Sequence, residues 1–204
     1  LLSDGYIANG ATPWKFPAAE DLADINVEYH QRSDEEEEFM PYSRDEKLAR
    51  PWAIPGTEGL MHRVGGLEKE DLTGHPTPDP ENHQIMVRLR AEKIALIADH
   101  IPLQEINVGA KTGKVLILSW GSTYGSISAA CHQLVNDGFE VSQAHLRYLN
   151  PFPKNLGEIL KSFDKVLIPE INDGQLIRII RDKYLVDAIG FHKIMGLPFT
   201  IKEM

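Results

Sequence analysis

Three short runs in the second half of the chain carry residue types that bind anions or move protons. The first is Gly121-Ser122-Thr123-Tyr124-Gly125. A Gly/Ser/Thr turn between a strand and a helix offers backbone N–H groups to an anion. It matches neither G-x-G-x-x-G nor the phosphate loop that ends in Gly-Lys-Ser/Thr. Three readings stay open for it: a tight turn with Ser122 or Thr123 capping the next helix, a phosphate cradle, or a subunit contact. The second run, Arg147 to Asn155, sets Arg147 and Asn150 beside Pro151 and Pro153, which stiffen the backbone. Arg147 can meet an anionic group or a partner chain, or the loop is simply rigid. The third run holds Glu170 and Asn172. Glu170 can act as a general base, or the two serve in helix capping and loop hydrogen bonding.

Other chemistries lack their residues. His62, His75, His83 and His100 do not have the spacing of metal ligands such as H-E-x-x-H. His145 falls in an expected strand with no nucleophile next to it, and no G-x-S-x-G elbow is present. The single cysteine, Cys131, excludes a disulfide framework and any zinc or iron–sulfur site built from this chain's thiolates. In Ala129-Ala130-Cys131 it reads as a small core residue. These residues make no complete active site.

The elements that must position the three runs are well punctuated. Lys114 to Trp120 (KVLILSW) is a continuous apolar run, the pattern of a strand buried on both faces of a parallel sheet. A helix over Ser126–Asn136 stops at Asp137-Gly138. Strand Phe139–Leu146, helix Leu156–Ser162, strand Lys165–Pro169, helix Gln175–Tyr184 and a strand over Val186–Phe191 follow. This β-α-β-α-β-α-β order implies right-handed crossovers and an α/β fold, an open, mostly parallel sheet with helices on both faces. Ligands bind such sheets at the carboxyl ends of the strands, where all three runs emerge. Upstream, Asp79 and Pro80 make an N-cap and first helical position. The helix they start runs to about His100, with Val87, Ala91, Ile94 and Ala98 as its expected core-facing stripe.

Charge divides the chain. Residues 1–80 hold 17 Asp/Glu against 7 Lys/Arg and 8 of the 13 prolines, whereas residues 81–204 are close to neutral. The first part reads as an extended acidic arm and the second as a compact domain. Within the arm, Ala18–Ile25 suits a short helix and Asp34–Glu38 is a self-repelling, solvated run of five acids. Trp52, Ile54, Leu60 and Met61 lie in a stretch broken by Pro51, Pro55, Gly56 and Gly59. They need a surface to cover, on this domain or on another subunit. Leu1-Leu2-Ser3-Asp4-Gly5 reads as the end of a buried strand, so the chain is expected to be a fragment of something longer. The net charge of −9 argues against nucleic-acid and anionic-membrane partners. No run approaches the ~18 apolar residues of a membrane span. One cysteine and no signal-peptide layout point to the cytoplasm.

Seven strings resemble one family. They are Leu2–Asn9 (LSDGYIAN), Arg50–Gly56 (RPWAIPG), His62–Glu70 (HRVGGLEKE), Asp79–His83 (DPENH), Gly121–Gly125 (GSTYG), His145–Pro153 (HLRYLNPFP) and Gly174–Leu176 (GQL). In this order they resemble the α subunit of the thiamine-diphosphate-dependent 2-oxoacid:ferredoxin oxidoreductases, most closely the 2-oxoglutarate type. Met61 departs from the pattern, which has an acidic residue before His62. The resemblance implies a C-terminal fragment: residues 1–25 as the end of a thiamine-pyrimidine-type domain, 26–80 as a linker arm, and 81–204 as a transketolase C-terminal-like domain. It implies oxidative decarboxylation of a 2-oxoacid with coenzyme A, electrons passing to ferredoxin. It places thiamine diphosphate, Mg²⁺ and a 4Fe-4S cluster with a partner β subunit, in an oligomer, and none of them on this fragment alone. The fragment itself then acts in subunit assembly. The alternative is a ligand-binding domain that holds a coenzyme A or nucleotide phosphate on a rim made by Gly121, Ser122, Thr123, Arg147, Asn150, Glu170 and Asn172.

Overall fold

The computed structural model describes residues 9–11, 15–33 and 38–204. The expected strand end at Leu1–Gly5, Trp14, and Asp34–Glu37 of the acidic run lie outside the described residues. By its internal contacts the chain forms two units, one built on Ala98–Met204 and the other ending at Ile97.

Four parallel strands make the sheet of the first unit: β1 (Gly113–Trp120), β2 (Val141–Leu146), β3 (Phe163–Glu170) and β4 (Ile189–His192). Their order is β2-β1-β3-β4. The chain therefore leaves β1 in one direction and β3 in the other, which opens a topological switch point between these two central strands. Register keeps the carboxyl ends level. Trp120 pairs with Leu146, Ile117 with Leu167 three residues short of Trp120 and Glu170, and Glu170 with His192.

Alternation along the strands makes two cores. Leu116, Leu118, Ala144, Leu146, Val166 and Ile168 face one way. Against them pack Leu156 and Leu160 of a short helix (Leu156–Lys161) and Leu176, Ile177 and Ile180 of a longer one (Gln175–Tyr184). On the other face Ile117 and Val141 meet Ile127 and Cys131 of the helix Tyr124–Asn136. Numbered in chain order after α1 (Pro80–Leu96), these helices are α2 (Tyr124–Asn136), α3 (Leu156–Lys161) and α4 (Gln175–Tyr184). Each buries the stripe its 3.6-residue period supplies. The expected open, mostly parallel α/β layering is what the structure has, and every strand pair in it is parallel.

The unit ending at Ile97 is built differently. The expected helix over Ala18–Ile25 is a single 3-10 turn, Ala19–Asp21, with no buried residue. A helix that short has no tertiary face to hold it. Helix α1 starts as expected, with Asp79 Oδ2 accepting from Asn82 N–H at 2.8 Å and Pro80 in its first turn. Its expected core stripe is overturned: Val87 is 45% and Ile94 41% exposed, and Ala91 is exposed too. The buried residues are Asn82 and Met86. Polar anchoring chose that face. Asn82 Oδ1 accepts from Asp71 N–H (2.9 Å) and its Nδ2 donates to Lys69 O (2.8 Å). Arg44 bonds Tyr42 O and Asp71 and lies 3.4 Å from Met86 Sδ. A division after residue 80 places α1 with the sheet. Its contacts place it with the arm, and the units divide at Ile97/Ala98.

Candidate functional site

Each of the three runs follows the carboxyl end of a strand. Gly121–Thr123 is a 3-10 turn continuous with α2. Gly121 sits at φ +59°, in the left-handed region that glycine tolerates. Thr123 closes the turn on itself: its hydroxyl donates to Trp120 O at 2.7 Å and accepts from Trp120 N–H at 3.3 Å. Gly121 is exposed and Ser122 half-buried. After β2, Arg147 and Asn150 are exposed, and the Asn150–Pro151 peptide is cis.

Glu170 is fully buried at the end of β3. One carboxylate oxygen accepts from Leu176 N–H (2.8 Å) and the other from Ile177 N–H (3.1 Å). Asn172 Oδ1 accepts from Gln175 N–H at 2.9 Å. The positive end of α4, the natural anion site on this side of the switch point, is thus occupied by the protein's own side chains. Of the two roles open to Glu170, this geometry is that of a cap. Gly174 completes the turn. It holds φ +76°, and a Cβ there would come within 2.6 Å of the His192 ring.

The structure adds a polar chain beneath the rim that sequence reading missed. His145 Nδ1 lies 2.8 Å from Ser119 Oγ, and Gln143 Nε2 donates to that oxygen at 3.0 Å. The Ser119 hydroxyl also reaches Ala144 O, at 3.4 Å. Tyr124 packs edge-on against the ring, with centroids 4.8 Å apart. Burial and then the charge of Arg147 lower the His145 pKa below its ordinary value. Ser119 and Gln143 are fully buried, and Gln143 Oε1 has no hydrogen-bond partner among the described residues. A Ser–His contact suggests a nucleophile, yet a hydroxyl sealed between two strands meets no substrate. The signal in the sequence was the period of two. Gln143 and His145 alternate with the apolar Ala144 and Leu146, and Ser119 stands opposite His145 in register.

These residues do not fit an iron–sulfur cluster, one of the groups that the resemblance implies. An iron–sulfur cluster takes several thiolates. The chain has one cysteine, buried in α2, and desolvation pushes its thiol up to about 11. Among the described residues no three His, Cys, Asp or Glu side chains gather to hold a metal ion. Also among them, no helix is long and apolar enough to cross a membrane.

An open, all-parallel α/β unit with helices on both faces and a self-capped rim defines the class: a doubly wound domain. The comparisons take it further. No protein-family model matches the chain. The chain is 47% identical, over its whole length, to the 2-oxoglutarate oxidoreductase subunit KorA of Mycobacterium tuberculosis, of which it covers 31%. It is 32% identical to the 2-oxoglutarate synthase subunit KorA of Methanocaldococcus jannaschii, over 81% of this chain and 46% of that one. A solved 2-oxoglutarate:ferredoxin oxidoreductase from Magnetococcus marinus, with 2-oxoglutarate, coenzyme A and succinyl-CoA bound, superimposes with a TM-score of 0.81 at 31% identity. That match covers 92% of this chain and 32% of the other. In sequence and in fold the chain is similar to α subunits of 2-oxoacid:ferredoxin oxidoreductases, and it spans about a third of the M. tuberculosis relative.

Proposed function

We propose that the chain is the C-terminal part of the α subunit of an enzyme that oxidatively decarboxylates 2-oxoglutarate with coenzyme A, yielding an acyl-CoA and CO₂ and passing electrons to ferredoxin. The observation that carries this reading is the 47% identity, across every part of the chain, to a protein named for 2-oxoglutarate oxidation. In this reading thiamine diphosphate, Mg²⁺ and the 4Fe-4S cluster sit on a β subunit, the assembly is oligomeric, and it works in the cytoplasm. No chemical step is assigned to this chain.

Its own part is assembly. The sheet unit is rigid at its rim because Glu170, Asn172 and Thr123 tie the loops to helix starts and strand ends. Gly121, Ser122, Arg147 and Asn150 are left at the surface of that rim, and we assign them contact with a partner chain. A phosphate held on the rim is the weaker reading, because the buried Glu170 carboxylate already fills the anion-attracting end of α4.

The test is coenzyme-A-dependent reduction of a viologen dye by the protein purified with its β subunit, with 2-oxoglutarate and pyruvate in parallel. Reduction with 2-oxoglutarate, and none by this 204-residue chain alone, is expected. No reduction with any 2-oxoacid, in the presence of thiamine diphosphate and an intact cluster, overturns the proposed activity. Arg147→Glu then separates the two rim readings. Loss of β-subunit binding supports assembly; unchanged assembly with weakened coenzyme A binding overturns it.

A further inference from the structure

The period of two along β2 sets Gln143 and His145 on one face of the strand, and Arg147 is next in that alternation, just past the strand end. The row runs from the core to the rim: Gln143 is fully buried, His145 half-buried and Arg147 exposed. At its inner end, Gln143 Oε1 is the one buried side-chain polar atom without a hydrogen-bond partner among the described residues. A buried amide satisfied at one end only is a cost to the core. The end that is satisfied leads to the ring: Nε2 donates to Ser119 Oγ at 3.0 Å, and that oxygen lies 2.8 Å from His145 Nδ1.

The imidazole is held from several sides. Ser119 of β1 meets Nδ1, and Tyr124 of α2 packs edge-on. From the segment before β1, Asn107 Oδ1 accepts from the His145 N–H at 2.7 Å, and Gln104 Nε2 donates to the His145 carbonyl at 3.2 Å. Nε2 is left over. It has no hydrogen-bond partner among the described residues, and it is not one of their buried atoms. Arg147 makes no ion pair among the described residues, and its charge acts on the ring. Tyr124 is the other group in contact that titrates; Ser119, Gln143, Gln104 and Asn107 are uncharged, and no carboxylate is among the charges that act on His145. A fixed imidazole nitrogen beside an unpaired guanidinium, with no acid near them, is the complement of a carboxylate.

We propose that His145 and Arg147 together receive a carboxylate side chain of the partner chain, with Ser119 and Gln143 as positioning residues that aim the ring. This rests on the assembly reading of the rim and adds the chemistry of the contact. Arg147 supplies the standing charge, and His145 supplies one that depends on pH. With the protonated ring, Nε2–H donates to the carboxylate and Nδ1–H to Ser119 Oγ, whose own hydrogen turns to Ala144 O. Ser119 then accepts twice, from Nδ1 and from Gln143, and donates once. In the free chain, burial and then Arg147 hold the ring pKa below 6.5. A carboxylate at Nε2 acts in the opposite sense and raises it. The gain in affinity is therefore complete below the free ring's pKa and is lost as pH rises through that of the docked ring.

The test is the affinity of the whole subunit for its β subunit, measured by calorimetry between about pH 8 and about pH 5.5, where a several-fold tightening toward acid is expected. His145→Gln, uncharged throughout that range, is expected to bind more weakly and to lose the tightening. Ser119→Ala leaves the ring free to turn, and a shallower pH profile is expected. An NMR titration of the His145 ring in the unsubstituted protein should show its midpoint rise on assembly. Affinity that ignores pH, affinity that weakens toward acid, or a tightening that His145→Gln retains overturns this inference and leaves the assembly reading standing. Failure to assemble at any pH overturns both.

Discussion

The two units hold themselves together by different means. In the unit built on Ala98–Met204, Leu116, Leu118, Ile168 and Ile180 have almost no exposed surface, and two apolar clusters sandwich one sheet. In the unit ending at Ile97, Phe39, Leu60 and Met86 are buried, while Ile25, Val64 and Met61 stand out, the last at 90% exposure. Its order comes from point contacts: Asn82 bridging Asp71 and Lys69, Arg44 on Asp71, and Glu68 paired with both His83 and Arg90. Arg90 and then His83 hold the Glu68 carboxyl below its usual range. Burial of apolar area is diffuse and survives small errors in any one residue. A latch of hydrogen bonds depends on each partner, because a buried polar group that loses its mate keeps its desolvation cost.

That difference predicts how each unit breaks. The largest effect is expected from Leu118→Ala, which empties a fully buried site at the middle of the sheet and costs roughly 3–5 kcal/mol. Denaturant unfolding followed by a probe in the sheet measures it; a cost near 1 kcal/mol means that the two-faced core does not carry this unit. Next comes Glu170→Ala. It strips two N–H partners from the start of α4, for a loss of about 2–4 kcal/mol. Hydrogen exchange at Leu176 and Ile177 should rise first. If it does not, Glu170 is no cap and its place as a general base is open again.

Asn82→Ala is expected to cost about 2 kcal/mol and to act locally. Amide protection should fall in α1 and around Asp71 while β1 to β3 keep theirs. Equal loss in both units ends the contrast drawn between them. The smallest effect is a pH dependence at His145. Its folded pKa lies below the ordinary imidazole value of 6.5, through burial and then Arg147. Below 6.5 the unfolded chain therefore takes up a proton that the folded one refuses. The stability contribution is complete above 6.5 and declines as pH falls toward the folded pKa. An NMR titration of the ring should show a midpoint under 6.5, moving up in Arg147→Ala. A midpoint that ignores Arg147 leaves burial as the sole cause.

The elements most legible beforehand were those whose own pattern has one solution. KVLILSW admits little but a strand buried on both faces, and Leu176, Ile177 and Ile180 fall on one side of any helix drawn through them. Asp79-Pro80 started a helix where expected because a cap is local chemistry. The face of α1 was not legible. Val87, Ala91 and Ile94 have the right spacing, yet the helix turned toward Met86 and Asn82, since the partners that hold Asn82 lie at Lys69 and Asp71. At the rim, the spacing located the loops at the strand ends, and only the folded chain showed Glu170 turned inward onto α4.

The sequence by itself determined the alternation of strands and helices, the split in charge and the kinship with the oxidoreductase α subunits. Each is written in neighbouring residues or in ordered strings of them. Tertiary structure alone decided which polar groups meet. Ser119 and His145 are joined by strand register, and the Glu170 carboxylate is turned onto the first N–H groups of α4. Whether a buried charge or hydroxyl is satisfied depends on what the rest of the chain brings within about 3 Å of it, and one-dimensional spacing does not contain that distance.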